Sequence, residues 1–462
     1  MNGCHSGHLR LRSERNLAYP AVSGCSASFT DGGNMMRPPR PTGDKAEIQN
    51  IIEEKAGSDF TFVYPQSGDY RSAVTMQDLD NDGSDEAIAL FSSGGENTKL
   101  NLMIMTKKGE SWESVANIQS SAAGVDRMFF ADINGDSKLE LFIGWTSFGS
   151  NEKQISAYAF DDEHNQIREM PIDSTYNELA CADFDNDNQS ELILLTIANK
   201  DDGSLAKFFK YSTNEKRPML SSSVPLDAEL TRILNACVGM VDSNTRALII
   251  DGENHSGTIS TQIIYWDSKE QALKNPLSTS LHTSANTNVS TRTTSTISKD
   301  INNDGIIEIP SVATMPAGNK EDASTICSLT TWNQYQLKTN SFKGILNMII
   351  NYKDGYYFKM PEKWITDNKN IWPTYVTARV DNENRTLSVY QWLSDETNTG
   401  YIGDKLFTIY VYSKKEWDSE SSNEMILLQK TDNNYYAVKI DNSKNKLSLN
   451  EEELDECFML IS

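Results

Sequence analysis

The chain has 462 residues, of which 38% are hydrophobic and 23% charged, and a net charge of −23. This composition fits two to four globular domains and excludes a disordered chain. A surface so acidic repels phosphate backbones, which excludes a nucleic-acid partner. The sequence has no apolar run of about 20 residues, the length a membrane-crossing helix needs.

In chain order, residues 1–43 read as a terminal segment rather than a folded unit. Val22-Ser23-Gly24-Cys25 resembles a bacterial lipobox. That resemblance implies a lipoprotein signal, lipidation of Cys25, and attachment to the extracellular face of a bacterial membrane through the lipid alone. Residues 26–42, rich in Ser, Gly, Pro and Arg, then read as a tether. Residues 9–20 carry Arg10, Arg12, Glu14 and Arg15, so the apolar part of a signal peptide is not evident there. A chance match in a disordered tail is the alternative. Cys4, His5 and His8 look like metal ligands but have no further partners nearby.

Residues 44–57 have a helical pattern. Ile48, Ile51 and Ile52 share one face, with Thr42 or Asp44 as the N-cap. Residues 60–64 read as a strand that completes a last sheet or caps a ring.

An internal repeat follows. Four segments begin at Asp78, Asp132, Asp183 and Asp300, spaced 54, 51 and 117 residues apart. Each places Asp or Asn at positions 1, 3 and 5 and Glu at position 9. These are Asp78, Asp80, Asp82 and Glu86; Asp132, Asn134, Asp136 and Glu140; Asp183, Asp185, Asp187 and Glu191; and Asp300, Asn302, Asp304 and Glu308. The last gap is two periods. Its middle holds a copy that has lost the carboxylates at the matching positions, in which Cys237 and Ala247 align with Cys181 and Glu191. Short apolar strands flank every loop, at 73–76 and 87–91, 127–130 and 141–145, 179–182 and 192–196. A third strand follows within about ten residues and a weaker fourth precedes the next unit. Four short strands per unit of about 50 residues is the period of a propeller blade. Five such units, from about 58 to 347, are expected to stack around an axis into a closed ring.

At these residues the chain resembles the FG-GAP/VCBS repeat family, the calcium-bearing β-propellers best known from integrin α subunits. The resemblance implies up to four structural calcium ions, one per loop. Side chains at positions 1, 3, 5 and 9 would be completed by the position-7 carbonyls of Ser84, Lys138, Gln189 and Ile306. Such a set suits a hard cation that takes six to eight oxygens. Position 6 must turn sharply; Gly83, Asn188 and Gly305 suit positive φ, and Ser137 departs from the pattern. Four polar Asx turns are the plainer alternative. The loops account for 14 of the acids. Cys181 and Cys237 are expected at equivalent places in successive blades, as thiols packed between sheets or as a disulfide.

After residue 347 the acidic loops stop. Residues 352–364, with Tyr356, Tyr357, Phe358, Pro361 and Trp364, resemble the opening of PsbP-like domains. That implies an α+β unit over 348–462, with strands at 387–392, 406–412, 425–429 and 435–440 and a closing helix at 451–460. The expected fold is therefore mostly β: a propeller of about five four-stranded blades over 44–347, then a small α+β domain.

The sequence holds no GxSxG, HExxH, P-loop or Rossmann glycine pattern, and His164, His255 and His282 stand alone. The leading expectation is a surface-tethered calcium-binding module for a protein or glycan ligand, with no catalytic residue assigned. A polysaccharide lyase or hydrolase is the alternative, with Asp251, Glu253 and His255 as its best segment. A structural envelope protein is the third.

Overall fold

The computed structural model describes residues 43–461, except 95–98, 162–165, 198–202, 279–288, 319–321, 368–369, 374, 395–399 and 421–423. Cys4, His5, His8, Cys25, His164 and His282 lie outside the described residues.

Five antiparallel sheets follow one another in the chain, each built from sequential hairpins. Blade one contains Glu86–Ser92, Leu100–Lys108 and Ser111–Ser120. Its edge is shared by Val74–Gln77 and Thr61–Phe62, both paired to Glu86–Ser92. The expected strand at 60–64 thus extends the first blade and not the last. Blade two runs Gly124–Ala131, Glu140–Thr146, Lys153–Asp161, Gln166–Tyr176. Blade three runs Glu178–Ala182, Glu191–Thr196, Leu205–Ser212, Arg217–Pro225. Blade four runs Leu230–Met240, Arg246–Asn254, Ile259–Asp267, Ala272–Lys274, with Thr291–Arg292 also on its outer edge. Blade five runs Ile309–Thr314, Ser328–Gln336, Ser341–Asn351, Tyr356–Lys359.

The second strand of each blade is a continuous apolar run because both of its faces are covered. In Glu86–Ser92 only the last residue is more than marginally accessible. Alternate residues therefore serve different neighbours. Ile88 and Leu90 pack against Val125, Met128, Leu141 and Ile143 of blade two. Ala87, Ala89 and Phe91 face the other way, onto Ile48 and Ile52 of the N-terminal helix Asp44–Ala56. The same division recurs between blades two and three, three and four, and four and five.

The free face of blade five, with Leu329, Ile349, Tyr356 and Phe358, packs on a five-stranded C-terminal sheet that supplies Val376, Val389, Phe407 and Ile409. That sheet contains Val376–Asp381, Thr386–Ser394, Gly400–Ser413, Ile426–Lys430 and Asn434–Ile440. Among the described residues, no hydrophobic cluster joins blade one to blade five. The N-terminal helix packs on blade one and the C-terminal sheet on blade five.

The end elements correct four further expectations. The helix begins at Gly43 without a side-chain cap. Asp44 instead meets Lys107 of blade one at 3.0 Å. The proposed boundary at 347 falls inside Ser341–Asn351. The aromatic strand Tyr356–Lys359, expected to open the last domain, is an outer strand of blade five, paired to Ser341–Asn351. The closing helix is shorter than expected, Glu451–Cys457 with an Asn450–Glu453 capping box, and Phe458–Leu460 returns as a strand beside Tyr356–Phe358.

Candidate metal centres at the blade corners

Each acidic segment forms the turn between the first and second strands of its blade. Residues 78–85 link the Gln77–Glu86 pair, 132–139 the Ala131–Glu140 pair, and 183–190 the Ala182–Glu191 pair. Residues 300–307 link Lys299 to Glu308, the first strand being reduced there to a bridge. The four turns fold alike. The position-1 carboxylate accepts the position-6 N–H: Gly83 to Asp78 at 3.0 Å, Ser137 to Asp132 at 2.9 Å, Asn188 to Asp183 at 3.1 Å and Gly305 to Asp300 at 2.8 Å. The position-5 carboxylate accepts the position-7 N–H, from Ser84, Lys138, Gln189 and Ile306, at 2.7–2.9 Å. The position-9 glutamate reaches back to the position-2 N–H, from Leu79, Ile133, Phe184 and Ile301, each at 2.9 Å.

Position 6 takes positive φ throughout: 89° at Gly83, 69° at Ser137, 68° at Asn188 and 85° at Gly305. Ser137 therefore adopts the turn despite its Cβ. Position 4 does the same at Asn81, Gly135, Asn186 and Asn303, with φ between 59° and 77°. Sequence reading passed over position 4, although its Asn/Gly restriction was visible there. Position 2 was also missed. Leu79, Ile133 and Phe184 are each 2% exposed and insert into the interface with the next blade.

These turns touch one another along the stack. Leu139 N–H donates to the Leu79 carbonyl at 3.2 Å, and Ser190 N–H to the Asp132 carbonyl at 2.9 Å. The corner loops thus occupy matching places in successive blades.

The glutamates are nearly inaccessible, at 0–2% exposure. Burial pushes the carboxyls of Glu86 and Glu140 up to about 7 and that of Glu191 up to about 8, and raises that of Glu308. Burial, then the neighbouring Asp82, also raises Asp80. Carboxylates gathered this way repel one another, with Lys210 a cation beside loop three and Lys138 near Asp80. Buried oxygens of Asp78, Asp185 and Glu191 have no hydrogen-bond partner, and carboxylate oxygens of Asp78, Asp80 and Glu86, or of Asp183, Asp185, Asp187 and Glu191, lie within 4.8 Å of one another. An all-oxygen set with orphaned buried acceptors fits a hard divalent cation.

What differs between loops is the third-strand residue next in register to the glutamate. Thr106 donates to Glu86 Oε1 at 3.3 Å in loop one. Ala159 offers nothing to loop two, where the Asn134 amide donates to Glu140 at 2.6 Å and Asp136 at 3.0 Å. Lys210 serves loop three. In loop four the Gln334 amide donates to Glu308 at 2.9 Å and Asp304 at 3.0 Å.

The degenerate turn of blade four is one residue shorter. Gly239 pairs with Ala247 across residues 240–246, where blade three pairs Ala182 with Glu191. This slip corrects the expected equivalence of the cysteines. Cys181 pairs with Leu192 on the face toward blade two, and Cys237 with Ile249 on the face toward blade five. Both are free thiols, raised by burial to about 12 and 11.

The segment considered for catalysis is committed elsewhere. Asp251 and Arg292 form a fully buried ion pair at 2.8 Å, and Asp251 also accepts from Thr261, Ser298 and Asn235. Glu253 pairs with Arg232 at 2.5 Å, and His255 is exposed in the turn that follows.

Fold and corners together define a mostly-β protein of propeller-type blades with acidic turns. No protein family and no curated protein matches the sequence. Among solved structures, a periplasmic gluconolactonase of Pseudomonas aeruginosa aligns at 8% identity over 74% of this chain and 87% of that one, with a TM-score of 0.31. Sqt1 of Saccharomyces cerevisiae aligns at 11% over 77% and 92%, TM-score 0.29. An exotype rhamnogalacturonan lyase aligns at 11% over 68% and 74%, TM-score 0.29. Superpositions this loose carry no argument about activity.

Proposed function

We propose that this chain is an FG-GAP/VCBS-like binding module whose blade corners are braced by calcium. In this reading it is held at the outer face of a bacterial membrane by a lipid on Cys25 and presents its blades to a protein or glycan. A PsbP-like origin for the C-terminal unit belongs to the same reading. One observation carries it: a single turn, with the same three backbone-to-carboxylate bonds, recurs at four blade corners around closely gathered acids, each with a buried glutamate.

Asp78, Asp80, Asp82 and Glu86 would hold the ion in loop one, with the Ser84 carbonyl. Asp132, Asn134, Asp136 and Glu140 offer the corresponding set in loop two, and Asp300, Asn302, Asp304 and Glu308 in loop four. The bound ion would supply charge that offsets the mutual repulsion of these acids. The protein's part is to fix the donors: position 1 by the position-6 amide, position 5 by the position-7 amide, position 9 by the position-2 amide. Affinities of roughly 10⁻⁴–10⁻³ M fit the extracellular range.

Calorimetric titration with calcium tests the metal reading. Saturable heat is expected, and its absence from folded protein would end that reading. Pull-downs against glycans and cell-wall fractions, with and without chelator, test the partner.

A further inference from the structure

By proximity of carboxylates alone, loop three is the richest of the corners, with four acids converging. Resting on the calcium reading above, we infer that this loop takes no metal because the ammonium of Lys210 is its resident cation.

Lys210 is aimed by strand register. Leu192 pairs with Phe209, so the next residue along, Lys210, stands across from Glu191 on the face toward blade four. Its Nζ bonds Asp185, lies 3.3 Å from Asp187 Oδ2 and 3.7 Å from Glu191 Oε1. The equivalent residues of the other acidic blades are Thr106, Ala159 and Gln334, none of which is charged. The ammonium is also held from behind. Trp266 of blade four places its ring centroid 6.0 Å from Nζ, and that ring stacks on Phe208 at 4.7 Å.

A second positive group comes from blade four, whose own turn keeps Asp242 but has lost the acids at the matching positions. Arg246 donates to the Asp183 carbonyl at 2.5 Å. A divalent ion entering loop three would need the oxygens that Lys210 already engages, and it would face a tethered positive charge across a short gap. The corner between blades three and four is thereby braced at any calcium concentration, while loops one, two and four respond to it.

Ion counting by equilibrium dialysis, with calcium alone as probe, tests this on the full chain. Asp185→Asn is expected to leave the number of bound ions unchanged. Lys210→Met is expected to add one ion, and Asp185→Asn on that background to remove it again. Loss of an ion from Asp185→Asn in the otherwise unaltered protein would overturn the proposal, and that comparison does not depend on the lysine variant folding. Melting in chelator supplies a metal-free readout. Lys210→Met should lower the melting temperature by several degrees, and adding Asp185→Asn should recover part of the loss. An unchanged melting temperature for Lys210→Met would also overturn the proposal. If no variant and not the parent binds calcium, the calcium reading fails and the melts alone decide the role of Lys210.

Discussion

Glu86, Glu140 and Glu191 each sit in a site that resists their own negative charge. A carboxyl whose folded pKa lies above its unfolded value adds stability below the unfolded pKa and loses it as pH rises through the folded one. For Glu86 and Glu140 that window runs from about 4.5 to about 7. In chelator, therefore, the protein should melt at a higher temperature at pH 5 than at pH 8. Added calcium should raise melting more at pH 8 than at pH 5, because an ion competes with the proton. Scanning calorimetry at the two pH values, with and without calcium, measures both differences. Thr106 orients Glu86 in loop one. Thr106→Val should weaken calcium binding there roughly 10- to 100-fold, the usual cost of removing a partner that orients a metal ligand, and titration would read it.

The element that connects chemistry to packing is the corner turn. Its second residue belongs to the core while its odd residues face the candidate site. Leu79→Ala removes a side chain buried in the interface between blades one and two, and should cost about 2–5 kcal/mol in denaturant unfolding. The turns and their flanking strands were legible in the sequence because short apolar runs and the acidic signature between them both follow from local rules. Ser137 shows how far the rule extends: the fixed bonds from positions 6 and 7 hold left-handed φ even without glycine. Other details depended on partners distant in sequence. The slip that puts Cys181 and Cys237 on opposite faces comes from a single missing turn residue. The part played by Lys210 shows only once third-strand register is known. Asp44, a plausible cap by sequence, is engaged by Lys107 from another element.

For the whole molecule, the sequence announced the number of blades but not what lies against the first and last. Those faces are ordinary apolar alternation, and nothing local says whether a blade, a helix or another sheet will cover them. Because blade five and the C-terminal sheet share one core, a chain ending at residue 347 should fail to stay soluble. Sedimentation of the truncated protein beside the full chain would check this; a monodisperse, cooperatively melting fragment would contradict the shared core. A helix against the first blade and a sheet against the last also act as unlike bookends. A sixth blade spliced between the third and fourth would touch neither of them, and its own side chains would have to match only the two surfaces it meets.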